Sequence, residues 1–262
     1  MHKCINKVIV FDLDDTIGHF EEISLFLSGL QNIFGKKIND KYVTNLLDLW
    51  PKFLRLGIID ILETIKKQKK KDKCVKVIIY TNNMGPRSWT LTIKKYLEKK
   101  INYKLFDKVI TAYRPNDVNN CRTSHEKSYS DLLKCTGYNN ETRFLFLDDQ
   151  HHPYMNNKNI VYIHLHPYNY GMQFNKMINT FIDSKYGNIV NKKDIHRFKD
   201  YMFRYMNSGN KFNRYIIRRN KITKKDIEQL RLIKKHMRKF LNIKRTRNKK
   251  KKRSRSKTRK NK

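Results

Sequence analysis

Acidic residues are scarce in this chain of 262 residues: 23 Asp and Glu stand against 59 Lys and Arg, for a formal net charge of +36 at pH 7. A field of that size draws nucleic acid, anionic membrane or acidic proteins, and says nothing about fold. Cysteine is sparse as well. Cys4, Cys74, Cys121 and Cys135 are scattered singly, without the density of a disulfide scaffold or the paired spacing of a zinc site, and they fit a reducing compartment. No run approaches the roughly twenty apolar residues that span a bilayer. The apolar run that follows Lys7 stops at Asp12, too soon for the apolar core of a secretory signal. The expectation is a soluble, intracellular protein with no membrane span.

The length has room for one α/β domain plus an extension. From Lys7 to about Ser184, short apolar runs alternate with helix-length amphipathic segments, the pattern of a parallel sheet covered by helices. The predicted strands are Val8 to Phe11, Val75 to Tyr80, Val109 to Thr111, Phe144 to Leu147 and Ile160 to Leu165. Four are continuously apolar, as in strands buried on both faces. About sixty residues separate the first two strands, too many for one crossover helix. Residues 20–56 therefore read as a small helical cap insertion, with helices over Phe20 to Phe34 and Lys41 to Trp50, followed by a crossover helix at Ile58 to Lys69. The predicted fold is α/β and Rossmann-like, a three-layer core over 1–184 with a basic helical extension over 185–241. In that extension Ile195, Phe198, Met202 and Tyr205 recur at helical spacing. Thr223-Lys-Lys-Asp226 resembles a helix start leading into Ile227, Leu230, Ile233, Met237 and Phe240. From Lys244 to the end there is no acidic or large apolar residue, so 242–262 is predicted to stay disordered until bound.

The first predicted strand runs into Asp12-Leu13-Asp14-Asp15-Thr16, setting three carboxylates at a strand's carboxyl end, where open α/β sheets bind ligands. Carboxylates so close repel one another unless a cation sits among them. Magnesium suits that place, because it prefers hard oxygen ligands and accepts a phosphate oxygen as one of them. The fourth strand ends the same way, in Asp148-Asp149. A single Asp-x-Asp is commonly a surface turn or a helix cap. Two acidic clusters, each closing a buried strand, are hard to explain so. A carboxylate attacking a phosphoryl group meets anionic repulsion, which positive or hydrogen-bonding groups must offset. Thr81 and Asn82, with neighbouring N–H groups at the end of the second strand, are candidates. So is Lys127, ahead of a helix over Ser128 to Lys134, with Lys134 near that helix's end as the alternative.

These elements, in this order, resemble the haloacid dehalogenase superfamily over about residues 5 to 170: Asp12-x-Asp14-x-Thr16, then Thr81, then Lys127, then Asp148-Asp149. The resemblance implies that Asp12 is the nucleophile forming an aspartyl-phosphate. It implies that Asp14 protonates the leaving group and then activates water. Magnesium would be held by the side chains of Asp12 and Asp148 and the backbone carbonyl of Asp14, with Asp149 assisting, while Thr81 and Lys127 bind the phosphoryl group. A second acid at Asp14 points to a phosphatase, since phosphoester hydrolysis needs a proton donor that carbon–halogen cleavage does not. Leu56-Gly57-Ile58 to Leu62, ahead of Ile78-Ile79-Tyr80-Thr81, is similar to the carboxy-terminal-domain phosphatase branch, whose substrates are phosphoproteins.

A cap of some forty residues leaves an open mouth, and an open mouth admits macromolecules. The expected substrate is a phosphoprotein, with a nucleic-acid end as the alternative. The basic tail reads as a nuclear address or a nucleic-acid tether. A non-catalytic nucleic-acid-binding protein on the same scaffold would be expected to carry a damaged catalytic set, and here the set is intact. His151, His152, His164 and His166 flank strands without a cysteine or carboxylate to complete a tetrahedral metal set, and read as loop residues. Trp50 and Trp89 read as packing.

Overall fold

The computed structural model describes residues 5–35, 40–117, 120–209 and 220–243. Five strands, β1 (Lys7–Phe11), β2 (Val75–Tyr80), β3 (Lys108–Ile110), β4 (Arg143–Asp148) and β5 (Ile160–His164), form one sheet in the order β3-β2-β1-β4-β5. Every neighbouring pair is parallel. Side chains on a strand alternate between its faces. Ile9, Phe11, Val77, Ile79, Leu145 and Leu147 accordingly enter one core, while Val8, Val10, Ile78, Tyr80, Phe144 and Phe146 enter the other. With both faces covered, β1, β2 and β4 gain from apolar residues at every position. β5, at the sheet edge, leaves Val161 and His164 exposed.

Eight α-helices lie among the described residues: α1 (Glu21–Phe34), α2 (Asp40–Leu49), α3 (Ile58–Lys71), α4 (Arg87–Lys100), α5 (Tyr129–Thr136), α6 (Phe174–Ile182), α7 (Ile195–Gly209) and α8 (Lys224–Phe240). The three layers are unequal. The buried apolar residues of α5, Leu132 and Cys135, lie in the second core, and those of the other seven helices lie in the first. The basic extension is part of that first core, where Phe198, Met202, Met206, Ile233 and Met237 are buried. α7 approaches α1 at Gly29, where a Cβ would stand 2.9 Å from Met202 Sδ. α8 opens on a reciprocal capping box between Thr223 and Asp226. Gln229 of that helix accepts a hydrogen bond from the His166 backbone N–H at 3.1 Å.

The cysteines depart from expectation. Cys121, in the loop before α5, is bonded to Cys135 in the last turn of α5, and none of the described cysteines is a free thiol. The expectation of isolated, reduced cysteines is therefore overturned. Their 14-residue separation carried no signal, because only the return of the loop onto α5 brings them together. Among the described residues no helix is long and apolar enough to cross a membrane. The predicted disordered tail lies outside the described residues from 244 onward.

Candidate active site

The sheet itself assembles the acids. Phe11 pairs with Leu147, and the Asp12 N–H donates to the Leu147 carbonyl at 2.9 Å, so Asp12 and Asp148 leave adjacent strands side by side. After β1 the chain builds outward through β2 and β3, then crosses back to place β4 on the other side of β1. The crevice at such a reversal of strand order is where doubly wound sheets bind ligands.

Lys127 fills the centre of this crevice. Its Nζ donates to Asp12 Oδ1 at 2.6 Å and to Asp148 Oδ2 at 2.7 Å, and the residue is 1 % exposed. It is held by the residue that starts α5: the Ser128 side chain accepts from the Asp131 N–H, and the Ser128 N–H donates to the Tyr80 hydroxyl. Lys134, by contrast, is exposed on α5. Asp149 completes the cluster, with one oxygen each of Asp12, Asp148 and Asp149 lying within 4.8 Å of one another. When all are ionised, three carboxylates against one ammonium leave two negative charges. That deficit and an all-oxygen donor set fit a divalent, hard cation such as magnesium.

Burial, reinforced by Asp148 and Asp14, holds the Asp12 carboxyl well above the ordinary carboxylate range despite Lys127. Burial also pushes Asp149 up to about 6, against the hydrogen bond it accepts from the Thr16 hydroxyl at 2.9 Å. Asp148 is pushed up by burial too, but His152 and Lys127 outweigh it and draw the group below its usual value. His152 Nε2 lies 3.3 Å from Asp148 Oδ2. The Lys127 ammonium opposes burial through Asp12 and Asp148, and its pKa is raised.

Asp14 stands apart from the carboxylate cluster. Its Oδ2 accepts from Asn83 Nδ2 at 2.7 Å, and burial raises its pKa, favouring the protonated acid. The loop is turned by Asp15, which sits in the left-handed region at φ 55°, a conformation Asp tolerates better than most residues. Buried Arg55 clamps it, donating to the carbonyls of Thr16, Asp15 and His166. Burial lowers the Arg55 guanidinium to about 10. Thr81 is buried at the end of β2, its Oγ1 accepting from the Asn83 N–H at 3.0 Å. Asn82 turns its Oδ1 to Arg122 Nη1 at 2.7 Å, and Arg122 Nη2 reaches the His125 carbonyl at 2.7 Å. Arg122 thus ties the end of β2 to the segment that carries Lys127.

Of the seven sequence-predicted residues, Asp12, Asp148, Asp149 and Lys127 meet at the carboxyl ends of β1 and β4, Asp14 and Thr81 are each hydrogen-bonded to Asn83, and Asn82 turns to Arg122. Arg55, Arg122 and Asn83 join them without having been singled out, and His152, read from the sequence as a loop residue, is buried 3.3 Å from Asp148. Asn83 was within reach, being next to Asn82 in a strand-end motif. A buried arginine among 59 cationic residues leaves no mark of its own.

No family model, curated protein or solved structure matches the chain.

Proposed function

We propose that this chain is a magnesium-dependent phosphomonoester hydrolase of the haloacid dehalogenase type. The observation that carries this reading is the pairing of Asp12 and Asp148 across Lys127 Nζ, at 2.6 and 2.7 Å, with Asp14 held apart and biased towards its protonated form. In the first step an Asp12 oxygen attacks phosphorus, the bond from phosphorus to the ester oxygen breaks, and Asp14 gives its proton to the departing alcohol. In the second, the Asp14 carboxylate takes a proton from water as that water attacks phosphorus. The bond to Asp12 breaks, orthophosphate leaves, and Asp14 is again protonated. Lys127 offsets the anionic charge of phosphate and nucleophile throughout, and Thr81 and Asn82 supply polar groups beside the phosphoryl oxygens. Asp12, Asp148 and Asp149 would hold magnesium, with the Asp14 carbonyl as a further ligand, and the ion when bound supplies positive charge to the carboxylates and to the phosphoryl group.

The test is hydrolysis of p-nitrophenyl phosphate with and without magnesium, for wild type and Asp12→Asn. Asp12→Asn is expected to lose turnover by on the order of a thousandfold or more. Equal rates for the two proteins would remove the reading.

A nucleic acid as carrier of the ester, in place of a phosphoprotein, is favoured by one feature. α8 exposes Lys224, Lys225, Arg231, Lys235, Arg238 and Lys239, a cationic face suited to a phosphate backbone.

A further inference from the structure

A cavity of about 630 Å³ opens beside the acid and runs between α1 and the start of α4, with Asp14 and Asn83 among its lining residues. Its size falls within the roughly 300–1,000 Å³ of small-molecule sites. Because Asp14 is the proton donor in the reading above, whatever fills this space is the alcohol side of the ester. Two kinds of surface meet there. Phe20, Leu25 and the half-buried Trp89 offer flat or apolar walls, while Ser24, Ser28, Gln31 and Ser88 are polar. The polar groups open to a ligand are those of the exposed Ser24 and Ser88, while the Thr92 Oγ1 is buried out of its reach.

Charge narrows the class. In a protein of net charge +36, no Lys, Arg or His lines this cavity among the described residues, and the one charged wall residue apart from Asp14 is Glu21. The leaving group therefore carries no phosphate of its own beyond the one being cleaved. A phosphotyrosine ring would cover the apolar walls yet leave the hydroxyls unpaired, since its one oxygen is the ester oxygen. A sugar phosphate would pair the hydroxyls and leave the aromatic wall bare. A nucleoside does both, with a base to lie on Trp89 and ribose hydroxyls to meet the polar wall.

We infer that the cavity between α1 and α4 is a nucleoside site, so that the ester hydrolysed is the phosphate of a free mononucleotide. This rests on the phosphatase reading, and two measurements separate their fates. Calorimetry of wild type with adenosine, which has no phosphate to cleave, is expected to show binding that Trp89→Ala weakens roughly tenfold. In turnover, adenosine 5′-monophosphate is expected to exceed phosphotyrosine peptide, phosphoserine peptide and glucose 6-phosphate in kcat/KM. It is also expected to exceed adenosine 3′,5′-bisphosphate by about tenfold or more, because no cation receives the second phosphate. A 5′-phosphorylated oligonucleotide, whose first nucleoside carries a further phosphate, is expected to fall below the mononucleotide in the same way, and equal use of the two overturns the mononucleotide assignment. Absence of adenosine binding in a protein that hydrolyses p-nitrophenyl phosphate overturns the nucleoside site alone, as does equal or better use of the peptides or the sugar. Adenosine binding without any phosphatase turnover overturns the reaction and keeps the site.

Discussion

At the scale of single residues, the site separates two acids by what each touches. Asp12 shares an ammonium with Asp148, and Asp14 accepts from an amide; burial pushes both towards the protonated form, and only Asp12 has the ammonium to oppose it at hydrogen-bond distance. Asp14→Asn should therefore cost about 10²–10⁴-fold on an alkyl phosphate, the usual range for a lost general acid. The loss should be clearly smaller on p-nitrophenyl phosphate, whose leaving group departs readily as an anion. Equal losses on the two esters would deny Asp14 the acid role. His19 gives a pH prediction. Burial lowers its pKa, but the 2.6 Å bond to Asp15 and the charges of Asp15, Glu22 and Glu21 raise it further, to a net value above 6.5. A group whose folded pKa exceeds its unfolded one stabilises fully below the unfolded value and loses that effect as pH rises through the folded one. The thermal midpoint of wild type should thus exceed that of His19→Gln most below pH 6.5, with the gap closing as pH rises above it. A gap that is constant from acid to alkaline pH would contradict this. Both acids were legible in the sequence as members of one motif. The clamps Arg55 and Arg122 were not, since a guanidinium declares its role only through the carbonyls it reaches.

At the scale of elements, the loop before α5 and α5 itself deliver the lysine. The bond between Cys121 and Cys135 closes a loop with Lys127 inside it. Replacing both cysteines by serine should lower stability to denaturant by about 3 kcal/mol, the order for a loop of this length. It should also slow p-nitrophenyl phosphate turnover, because the ammonium loses its tether. Unchanged stability and turnover would show that the bridge constrains nothing the site needs. The strands were readable from their apolar runs and α8 from its Thr223 and Asp226 ends, because strand burial and helix caps are written in adjacent residues. The bridge was not readable, because its geometry belongs to a loop's return path.

At the scale of the whole molecule, charge and chemistry are separable. Residues 242–262 contain 13 Lys and Arg, so their removal lowers the net charge from +36 to +23. The truncated protein should keep its turnover of a small phosphoester while binding nucleic acid more weakly and with a shallower dependence on salt, as measured by titration at several ionic strengths. Loss of small-ester turnover on truncation would place the segment in the catalytic unit. α7 and α8 belong with the core in this respect: their buried faces sit in the same cluster as the sheet.

The sequence by itself determined the class of fold, the strands and the acids at their ends, because burial on both faces and carboxylates at strand ends are local patterns. Only the tertiary structure decided that Lys127 rather than Lys134 meets Asp12 and Asp148, that two arginines brace the loops, and that a cavity without a lining cation lies beside Asp14. Those outcomes depend on parallel register and on the path of loops between elements. The contact of Lys127 with Asp12 joins residues 115 positions apart and that of Thr16 with Asp149 residues 133 apart, and no local pattern encodes them.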